Sequence, residues 1–225
     1  MIRLVLFDID GTLILSGGAG EKAFAQVCTA EFGVENGTAK LNFAGRTDTS
    51  IIRDFFNQHG IEPSAPNFRR FLDRYVFLLD HLLGRLPGMV LPGVTELLQG
   101  LRALRQPPMI GLLTGNIQLG AQIKLTHYRL WEEFVMGGFA DDHEDRNHIA
   151  RAARERGSRL LNRPLKGEEI VVIGDTPRDV ECARAIQARS LAVATGKFTV
   201  QELLPEQATW TVGSLRELSA SELCG

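Results

Sequence analysis

Near its N-terminus the chain reads Leu4-Val5-Leu6-Phe7-Asp8-Ile9-Asp10-Gly11-Thr12-Leu13, a short apolar run that ends in two carboxylates and a Gly-Thr turn. An apolar run bounded by turn residues is typical of a strand buried on both faces of a sheet. Charged groups are costly inside such a core, so both carboxylates belong where the strand emerges. In open α/β sheets, ligands bind at that carboxyl-terminal edge. We therefore expect Asp8 and Asp10 to lie in a binding site.

Composition sets the outer bounds of this prediction. The chain has 225 residues, 44% of them hydrophobic and 23% charged, which is typical of a soluble globular protein with one good core and room for a smaller lobe. A net charge of −2 gives no electrostatic case for nucleic acid or a membrane as partner. The three cysteines lack the spacing of a zinc site, and the chain begins with a strand rather than a signal peptide. We expect a cytoplasmic protein with reduced thiols.

The order of the predicted elements indicates the fold class. Apolar residues recur at helical spacing through residues 21–86, and this region is predicted to be almost wholly helical. Beyond it helices alternate with strands, which favours a parallel sheet with helices on both faces. The sequence thus predicts an α/β core with an inserted helical lobe, joined by two glycine-containing hinges. The core is predicted to comprise residues 1–16 and 88–225 and the lobe residues 17–87; the later strands are expected at 109–113, 134–136, 170–173, 190–194 and 210–212.

Two later strands also end in polar residues. One leads into Leu113-Thr114-Gly115-Asn116 and the other into Ile173-Gly174-Asp175-Thr176-Pro177-Arg178-Asp179. In a parallel sheet these ends lie at the same edge as Asp8. A carboxylate in the position of Asp175 is a hard oxygen ligand suited to Mg²⁺. Asp179 is expected in the first turn of the next helix, where it either supports the metal site or simply complements the helix dipole.

Together these motifs resemble those of the haloacid-dehalogenase-like hydrolase superfamily, and the chain is similar to its phosphoglycolate phosphatase-like members with a helical cap. The resemblance implies a Rossmann-like core, with residues 17–87 as the cap. It also implies that Asp8 is a nucleophile forming an aspartyl-phosphate, and that Asp10 is first a general acid and then a general base. The other roles implied are phosphoryl binding by Thr114 and Gly115 and Mg²⁺ binding by Asp8, the Asp10 carbonyl, Asp175 and Asp179. Asn116 is interpreted as a helix cap.

The chain departs from the superfamily pattern in one motif. Many relatives carry a lysine that bridges the nucleophile and the phosphate, but residues 137–148 contain none. Arg146 is the best substitute, because it supplies the charge in a planar fork. The alternative is an arginine that starts a helix and faces solvent. His143 and His148 are alternative ligands for a second metal.

The predicted cap contains Phe43-Ala44-Gly45-Arg46-Thr47-Asp48 between two helices. Arg46 is the candidate for binding an anionic group of the substrate, since arginine recognises carboxylates and phosphates in a bidentate manner. The equally weighted alternative is that Thr47 or Asp48 caps the next helix and Arg46 faces solvent. Closure of the cap would exclude water from the reaction.

The sequence therefore predicts a Mg²⁺-dependent phosphomonoesterase acting on a small phosphorylated metabolite. A sugar phosphomutase of the same superfamily is the nearest alternative, because it uses the same pair of acids and a similar cap. A dehalogenase is disfavoured, since those relatives lack the second acid that Asp10 provides. A non-catalytic phosphate-binding regulatory protein is disfavoured because Asp8, Asp10 and Asp175 are all present.

Overall fold

A parallel sheet forms the centre of the computed structural model, which describes all 225 residues, Met1–Gly225. Six strands lie side by side in the order β5-β4-β1-β6-β7-β8, and every pairing among them is parallel. The prediction of an α/β fold with a Rossmann-like parallel sheet is confirmed. The strands of the chain are β1 (Leu4–Phe7), β2 (Ile14–Leu15), β3 (Met89–Val90), β4 (Met109–Leu113), β5 (Gly137–Gly138), β6 (Ile170–Gly174), β7 (Arg189–Val193) and β8 (Trp210–Val212).

Helices cover both faces of this sheet. Apolar residues of α4, α5 and α9 pack in one core, and those of α6 and α7 pack in another on the opposite face. No helix combines the length and apolar composition that crossing a membrane requires. The helices are α1 (Ala19–Phe32), α2 (Asp48–Gln58), α3 (Ala65–Leu83), α4 (Val94–Ala103), α5 (Gln118–His127), α6 (Arg146–Leu160), α7 (Pro177–Ala185), α8 (Val200–Leu203) and α9 (Ala220–Cys224).

Strand β1 lies in the interior of the sheet and contacts both cores. Leu4 and Leu6 belong to the core beside α6 and α7, whereas Val5 and Phe7 belong to the core on the other face. All four side chains are fully buried, because successive residues of a strand point to opposite faces and both faces are covered. This burial on both faces was predicted from the uninterrupted apolar run.

Helices α1, α2 and α3 form an insert around a third core, which also includes Ile117 and Ala140 of the sheet domain. The chain leaves and re-enters the sheet domain through a short antiparallel pair, in which β2 pairs with β3. The third core gathers aromatic and aliphatic residues of these three helices. Ser64 is the N-cap of α3 and Gly84 its C-cap. The division of the chain into residues 17–87 and the remainder stays a prediction.

Two local predictions are wrong. Residues 21–86 were expected to be almost wholly helical, with only 43–48 named as lying between helices. Instead α1 ends at Phe32, before Gly33, whose positive φ of 66° favours glycine, and α2 begins only at Asp48. The strand expected at 134–136 lies instead at Gly137–Gly138, where it pairs with β4. Glycine is depleted in strands, so the sequence pattern did not indicate this one. Gly138 is required by close packing, because a Cβ atom there would lie 2.7 Å from the Ile149 carbonyl oxygen.

Candidate active site

The ends of β1, β4 and β6 bring three polar residues to one edge of the sheet. Phe7, the last residue of β1, pairs with residues near the ends of both neighbouring strands. Asp8, Thr114 and Asp175 follow these strands, so the sheet places them side by side, and all three are buried. They were predicted to meet because the carboxyl ends of parallel strands lie at the same edge.

These residues line a cavity of about 500 Å³ between the sheet edge and the helical insert. The sheet domain contributes Asp8, Asp10, the Thr114 hydroxyl and three cationic side chains, which are those of Lys124, Arg146 and Lys197. The insert contributes Arg46 from the loop before α2, Asp48 from α2 and Tyr75 from α3. The cavity-lining residues used below are Asp8, Asp10, Thr114, Gly115, Asn116, Lys124, Arg146, Asp175, Arg46, Asp48 and Tyr75.

Three buried carboxylates form the acidic centre of the site. Oxygen atoms of Asp8, Asp175 and Asp179 all lie within 4.8 Å of one another. Burial, above all, and the neighbouring carboxylates raise the pKa of Asp8 to about 7 and that of Asp175 to about 8, although Arg146 opposes the shift at Asp8. Thr12 Oγ1 donates a hydrogen bond to Asp175 Oδ1 at 3.1 Å. Hard divalent cations prefer carboxylate oxygens as ligands, and the positive charge beside these three carboxylates is too small to balance them. The acidic centre therefore fits such a cation.

Local chain geometry places Asp179 in this centre. Thr176 is the N-cap of α7 and Pro177 its first residue. The Asp179 carboxylate accepts hydrogen bonds from the Thr176 backbone N–H at 3.0 Å and from its hydroxyl at 2.7 Å. One Asp179 oxygen thus caps the helix, while the side chain also lies with Asp8 and Asp175. Its support of a metal site stays a prediction.

Arg146 is buried beside the acidic centre, at the start of α6. Its Nη2 lies 2.5 Å from Asp179 Oδ1 and 3.6 Å from Asp8 Oδ1. Burial acts to lower the pKa of the guanidinium, but Asp179 and Asp8 outweigh it and the pKa is raised. The structure thus does not support a solvated arginine here. Arg146 supplies positive charge beside Asp8, and its Nε is buried with no hydrogen-bond partner.

Asp10 lies near Asp8 in sequence, but its side chain contacts a different group. Asp10 Oδ2 accepts hydrogen bonds from Lys124 Nζ at 2.6 Å and from Asn116 Nδ2 at 2.9 Å. The interpretation of Asn116 as a helix cap is wrong, because Ile117 is the N-cap of α5 and the Asn116 side chain links Asp10 to Thr114 Oγ1 at 2.8 Å. Asp8 and Asp10 therefore have different environments and can perform different chemistry.

Sequence reasoning missed Lys124. It lies on the buried face of α5 together with Gly120, Ala121 and Leu125. The signal was present in the sequence: a single lysine at helical spacing among small and apolar residues. Nothing in that spacing shows which acid the lysine meets, because Asp10 is 114 residues away in the chain.

The insert contacts the segment Thr114-Gly115 directly. Asp48 N–H donates to the Gly115 carbonyl at 2.7 Å, and Asp48 Oδ2 accepts from Ile117 N–H at 2.9 Å. A Cβ atom on Gly115 would overlap the Arg46 carbonyl oxygen, so glycine allows the two backbones to approach. Burial raises the pKa of Asp48 to about 6. Gly115 is thus a contact point for the insert, in addition to its predicted role in phosphoryl binding.

Arg46 lines the cavity, as an anion-binding residue must, but it already has a partner. Its guanidinium forms an ion pair with Asp54 of α2. Thr47 is the N-cap of α2 and accepts a hydrogen bond from Ser50 N–H, which confirms that part of the alternative interpretation. His143 and His148 stack on each other, with ring centroids 4.2 Å apart, and neither belongs to the carboxylate cluster.

The raised pKa values predict how pH affects the metal-free protein. A carboxyl whose pKa is higher in the folded state than in the unfolded state stabilises the fold below about pH 4, and this stabilisation is lost as pH rises toward the folded pKa. For Asp175 that window runs from the ordinary value of 3.8 to about 8. Asp175→Asn should therefore raise the melting temperature in EDTA relative to wild type, by about 5 °C at pH 8 and by less at pH 5.

Differential scanning calorimetry at both pH values, with Asp80→Asn as an exposed control on α3, measures this difference. A melting-temperature difference that is the same at pH 5 and pH 8 would show that Asp175 carries no such penalty. Adding a divalent cation should stabilise wild type more at pH 8, because the ion favours the ionised carboxylates.

Comparison with known proteins agrees with this geometry. The model of the haloacid dehalogenase-like hydrolases matches residues 2–187. Among solved structures, a predicted phosphatase from Clostridium acetobutylicum is 21% identical with a TM-score of 0.74, covering 99% of each chain. A mutant of CbbY from Rhodobacter sphaeroides in complex with xylulose-1,5-bisphosphate is 17% identical with a TM-score of 0.75, covering 97% of this chain and 96% of that one.

A predicted phosphoglycolate phosphatase from Haemophilus somnus 129pt is 16% identical with a TM-score of 0.71, and 96% of each chain is covered. At these low identities, the structural similarity shows that the fold is shared. No curated protein matches the sequence. The family model spans most of the chain, including the strand ends that carry Asp8, Thr114 and Asp175, so the resemblance inferred from the motifs is confirmed. The chain belongs to the haloacid dehalogenase-like hydrolases.

Proposed function

We propose that the protein is a Mg²⁺-dependent phosphomonoesterase that hydrolyses a small, phosphoglycolate-like phosphorylated metabolite through an aspartyl-phosphate. The observation that carries the proposal is the contrast between the environments of Asp8 and Asp10. Asp8 is buried within 4.8 Å of two further carboxylates and beside Arg146, while Asp10 turns to Lys124 and Asn116. This contrast supports nucleophilic attack on phosphorus by Asp8 and proton transfer by Asp10.

In the first step, an Asp8 carboxylate oxygen attacks the phosphorus atom. The bond between phosphorus and the ester oxygen breaks, and Asp10 donates a proton to that leaving oxygen. Arg146 and the Thr114 hydroxyl lie at the same strand edge and would bind the phosphoryl oxygens, whose charge increases in the transition state.

In the second step, water attacks the phosphorus of the aspartyl-phosphate. Asp10, now a carboxylate, takes a proton from the water, and the bond between phosphorus and Asp8 breaks. This restores both acids to their starting states and releases inorganic phosphate. Splitting one difficult displacement into two easier ones is the advantage of a covalent intermediate.

Asp8, Asp175, Asp179 and the Asp10 carbonyl are the groups we assign to Mg²⁺ binding. When bound, the ion offsets the repulsion between the carboxylates and the substrate phosphate and orients the phosphoryl oxygens. The donor set of buried oxygens supports this assignment. Without a cation the negative charges around Asp8 exceed what Arg146 can neutralise, so we expect activity to require the metal.

The cavity supports a substrate of limited size. Its volume of about 500 Å³ is suited to a small phosphate ester. Arg46, at the cavity wall, would bind a second anionic group of that ester if it exchanged Asp54 for the substrate. We propose no nucleic acid and no membrane as partner, in keeping with the net charge of −2, and we place the enzyme in the cytoplasm because its three buried cysteines are free.

Phosphate release from a panel of esters tests the proposal. The panel contains phosphoglycolate, sugar phosphates, nucleotides and phosphoamino acids, each assayed with Mg²⁺ and with EDTA. We expect metal-dependent release, fastest with a small ester. If correctly folded protein released no phosphate but converted one sugar phosphate into another, it would be a phosphomutase. If it did neither, the phosphomonoesterase proposal would be wrong.

A further inference from the structure

Lys124 is a buried lysine that the reaction steps above leave without a task. Its side chain is only 5% exposed, yet it lines the cavity. Nζ donates hydrogen bonds to Asp10 Oδ2 at 2.6 Å and to Asn116 Oδ1 at 2.7 Å. Burying an ammonium group is costly unless it is paired, so its position depends on these two partners.

The surrounding helices hold this lysine in place. Gly120, one turn earlier on α5, lies against α3, since a Cβ atom there would be in van der Waals contact with the Tyr75 ring at 3.6 Å. Gly20, at the start of α1, covers the ammonium: a Cβ atom at that position would lie 3.6 Å from Lys124 Nζ. The insert thus closes over Lys124, and the lysine has little freedom to leave Asp10.

The hydrogen bonds to Asp10 are asymmetric. Both Lys124 Nζ and Asn116 Nδ2 donate to the same oxygen, Oδ2. Oδ1 accepts no hydrogen bond from the protein, and 42% of the Asp10 side chain is exposed in the cavity. Asn116 Nδ2 also donates to Thr114 Oγ1, so the fixed oxygen is connected to the residue that we assign to phosphoryl binding. Two hydrogen bonds thus fix Oδ2 of Asp10, whereas Oδ1 is free of hydrogen bonds from the protein.

We propose that Lys124 is the positioning residue for Asp10, and this inference rests on the phosphomonoesterase function proposed above. By holding Oδ2, Lys124 presents Oδ1 to the oxygen of the leaving alcohol. In the first step the proton passes from Asp10 to that oxygen as its bond to phosphorus breaks, and the ammonium stabilises the carboxylate that remains. In the second step the same oriented carboxylate receives the proton of the attacking water. Lys124 exchanges no proton with substrate or water and acts through Asp10.

The dependence of the rate on the leaving group separates this role from a purely structural one. An alkoxide is a poor leaving group and needs the proton, whereas 2,4-dinitrophenolate leaves without one. The kinetic constant kcat/KM covers only the steps up to departure of the leaving group, so it isolates the first step. Loss of general acid catalysis should therefore lower kcat/KM for alkyl phosphates and spare dinitrophenyl phosphate.

The test measures kcat/KM of Lys124→Met for both kinds of ester. Methionine keeps much of the length and removes the charge and the donors. We expect a loss of about 10²-fold for an alkyl phosphate and of less than about 3-fold for dinitrophenyl phosphate. Lys22→Met, at an exposed lysine of α1, is the matched control and should change neither value. Lys124→Arg should recover part of the alkyl phosphate activity.

A double-variant cycle makes the test independent of folding losses. In the Asp10→Asn background, adding Lys124→Met should lower kcat/KM for the alkyl ester no further, because its target is already gone. Equal losses of Lys124→Met on both esters, or a further full loss in the Asp10→Asn background, would overturn the positioning role. Hydrolysis of both esters by wild type checks the proposed function separately from these ratios.

Discussion

Asp8→Asn is expected to lower phosphate release by about 10⁴-fold or more and, at the same time, to make the metal-free protein more stable. The amide cannot form the aspartyl-phosphate, so the first bond is never made. It also removes one of three clustered buried carboxylates. Burial above all, and then repulsion from neighbouring carboxylates, raises the pKa of Asp8 to about 7. Steady-state kinetics and calorimetry in EDTA at pH 8 measure the two effects together.

The combination of effects is what distinguishes a functional acid from a structural one. Asp80→Asn, an exposed change of the same chemistry on α3, should leave both rate and melting temperature near wild type. Asp8→Asn should raise the melting temperature in EDTA by about 5 °C, since each kcal/mol shifts a protein of this size by roughly 2–4 °C. An active Asp8→Asn enzyme, or one that melts well below wild type in EDTA, would contradict the assignment of Asp8.

Arg146→Gln is expected to produce the largest loss of stability, on the order of 3–5 kcal/mol, together with loss of activity. The guanidinium is the cation in direct contact with both Asp8 and Asp179, and its removal leaves buried carboxylates without compensation. The loss of stability should be greatest in EDTA, because a bound divalent cation would replace part of the positive charge that Arg146 supplies. Chemical denaturation with and without Mg²⁺ measures it.

Arg146→Lys is the matched variant for this prediction, because it keeps the charge and shortens the donor. We expect it to recover most of the stability and part of the activity. If Arg146→Gln unfolded at the same denaturant concentration as wild type in EDTA, the arginine could not be the neutralising partner of Asp8 and Asp179. If Arg146→Lys recovered neither property, geometry rather than charge would decide the role of this position.

Much of the fold was predictable because it depends on local patterns. The apolar run before Asp8 requires a buried strand, and Thr176-Pro177 starts a helix by its own backbone chemistry. Once the strands are parallel, their carboxyl ends must share one edge, so the sequence alone predicts that Asp8, Thr114 and Asp175 lie together. The strand at Gly137–Gly138 escaped prediction because its residues have low strand propensity and packing against α6 decides their place.

The environment of Asp10 could not be predicted in the same way. Lys124 reaches it from α5, and the orientation of that helix depends on how α3 of the insert packs against Gly120. Asn116 reads as a helix cap in the sequence, yet its side chain is used between Asp10 and Thr114. The contacts of Lys124 and Asn116 with Asp10 join residues more than a hundred positions apart, and no local pattern encodes them.

The fit between the insert and the sheet domain likewise depends on long-range contacts. Arg53 of α2 pairs with Glu144, with Nη2 and Oε1 2.6 Å apart, and the Thr47 hydroxyl donates to the Glu144 carbonyl at 2.9 Å. Lys197 and Glu21 form a second ion pair across the cavity rim. These contacts close the cavity around Asp8, so the sequence motif supplies the reacting groups and the tertiary fold supplies their enclosure.

Direct detection of the phosphorylated residue tests the central claim, that Asp8 carries the phosphoryl group during turnover. The Asp10→Asn variant is mixed with Mg²⁺ and acetyl phosphate, whose leaving group needs no proton, then quenched in acid and digested for mass spectrometry. We predict one phosphoryl group on the peptide that contains Asp8, accumulating because the water step is slowed, and none in Asp8→Asn. Phosphate release with no modified Asp8 peptide, or with the phosphoryl group on another residue, would contradict it.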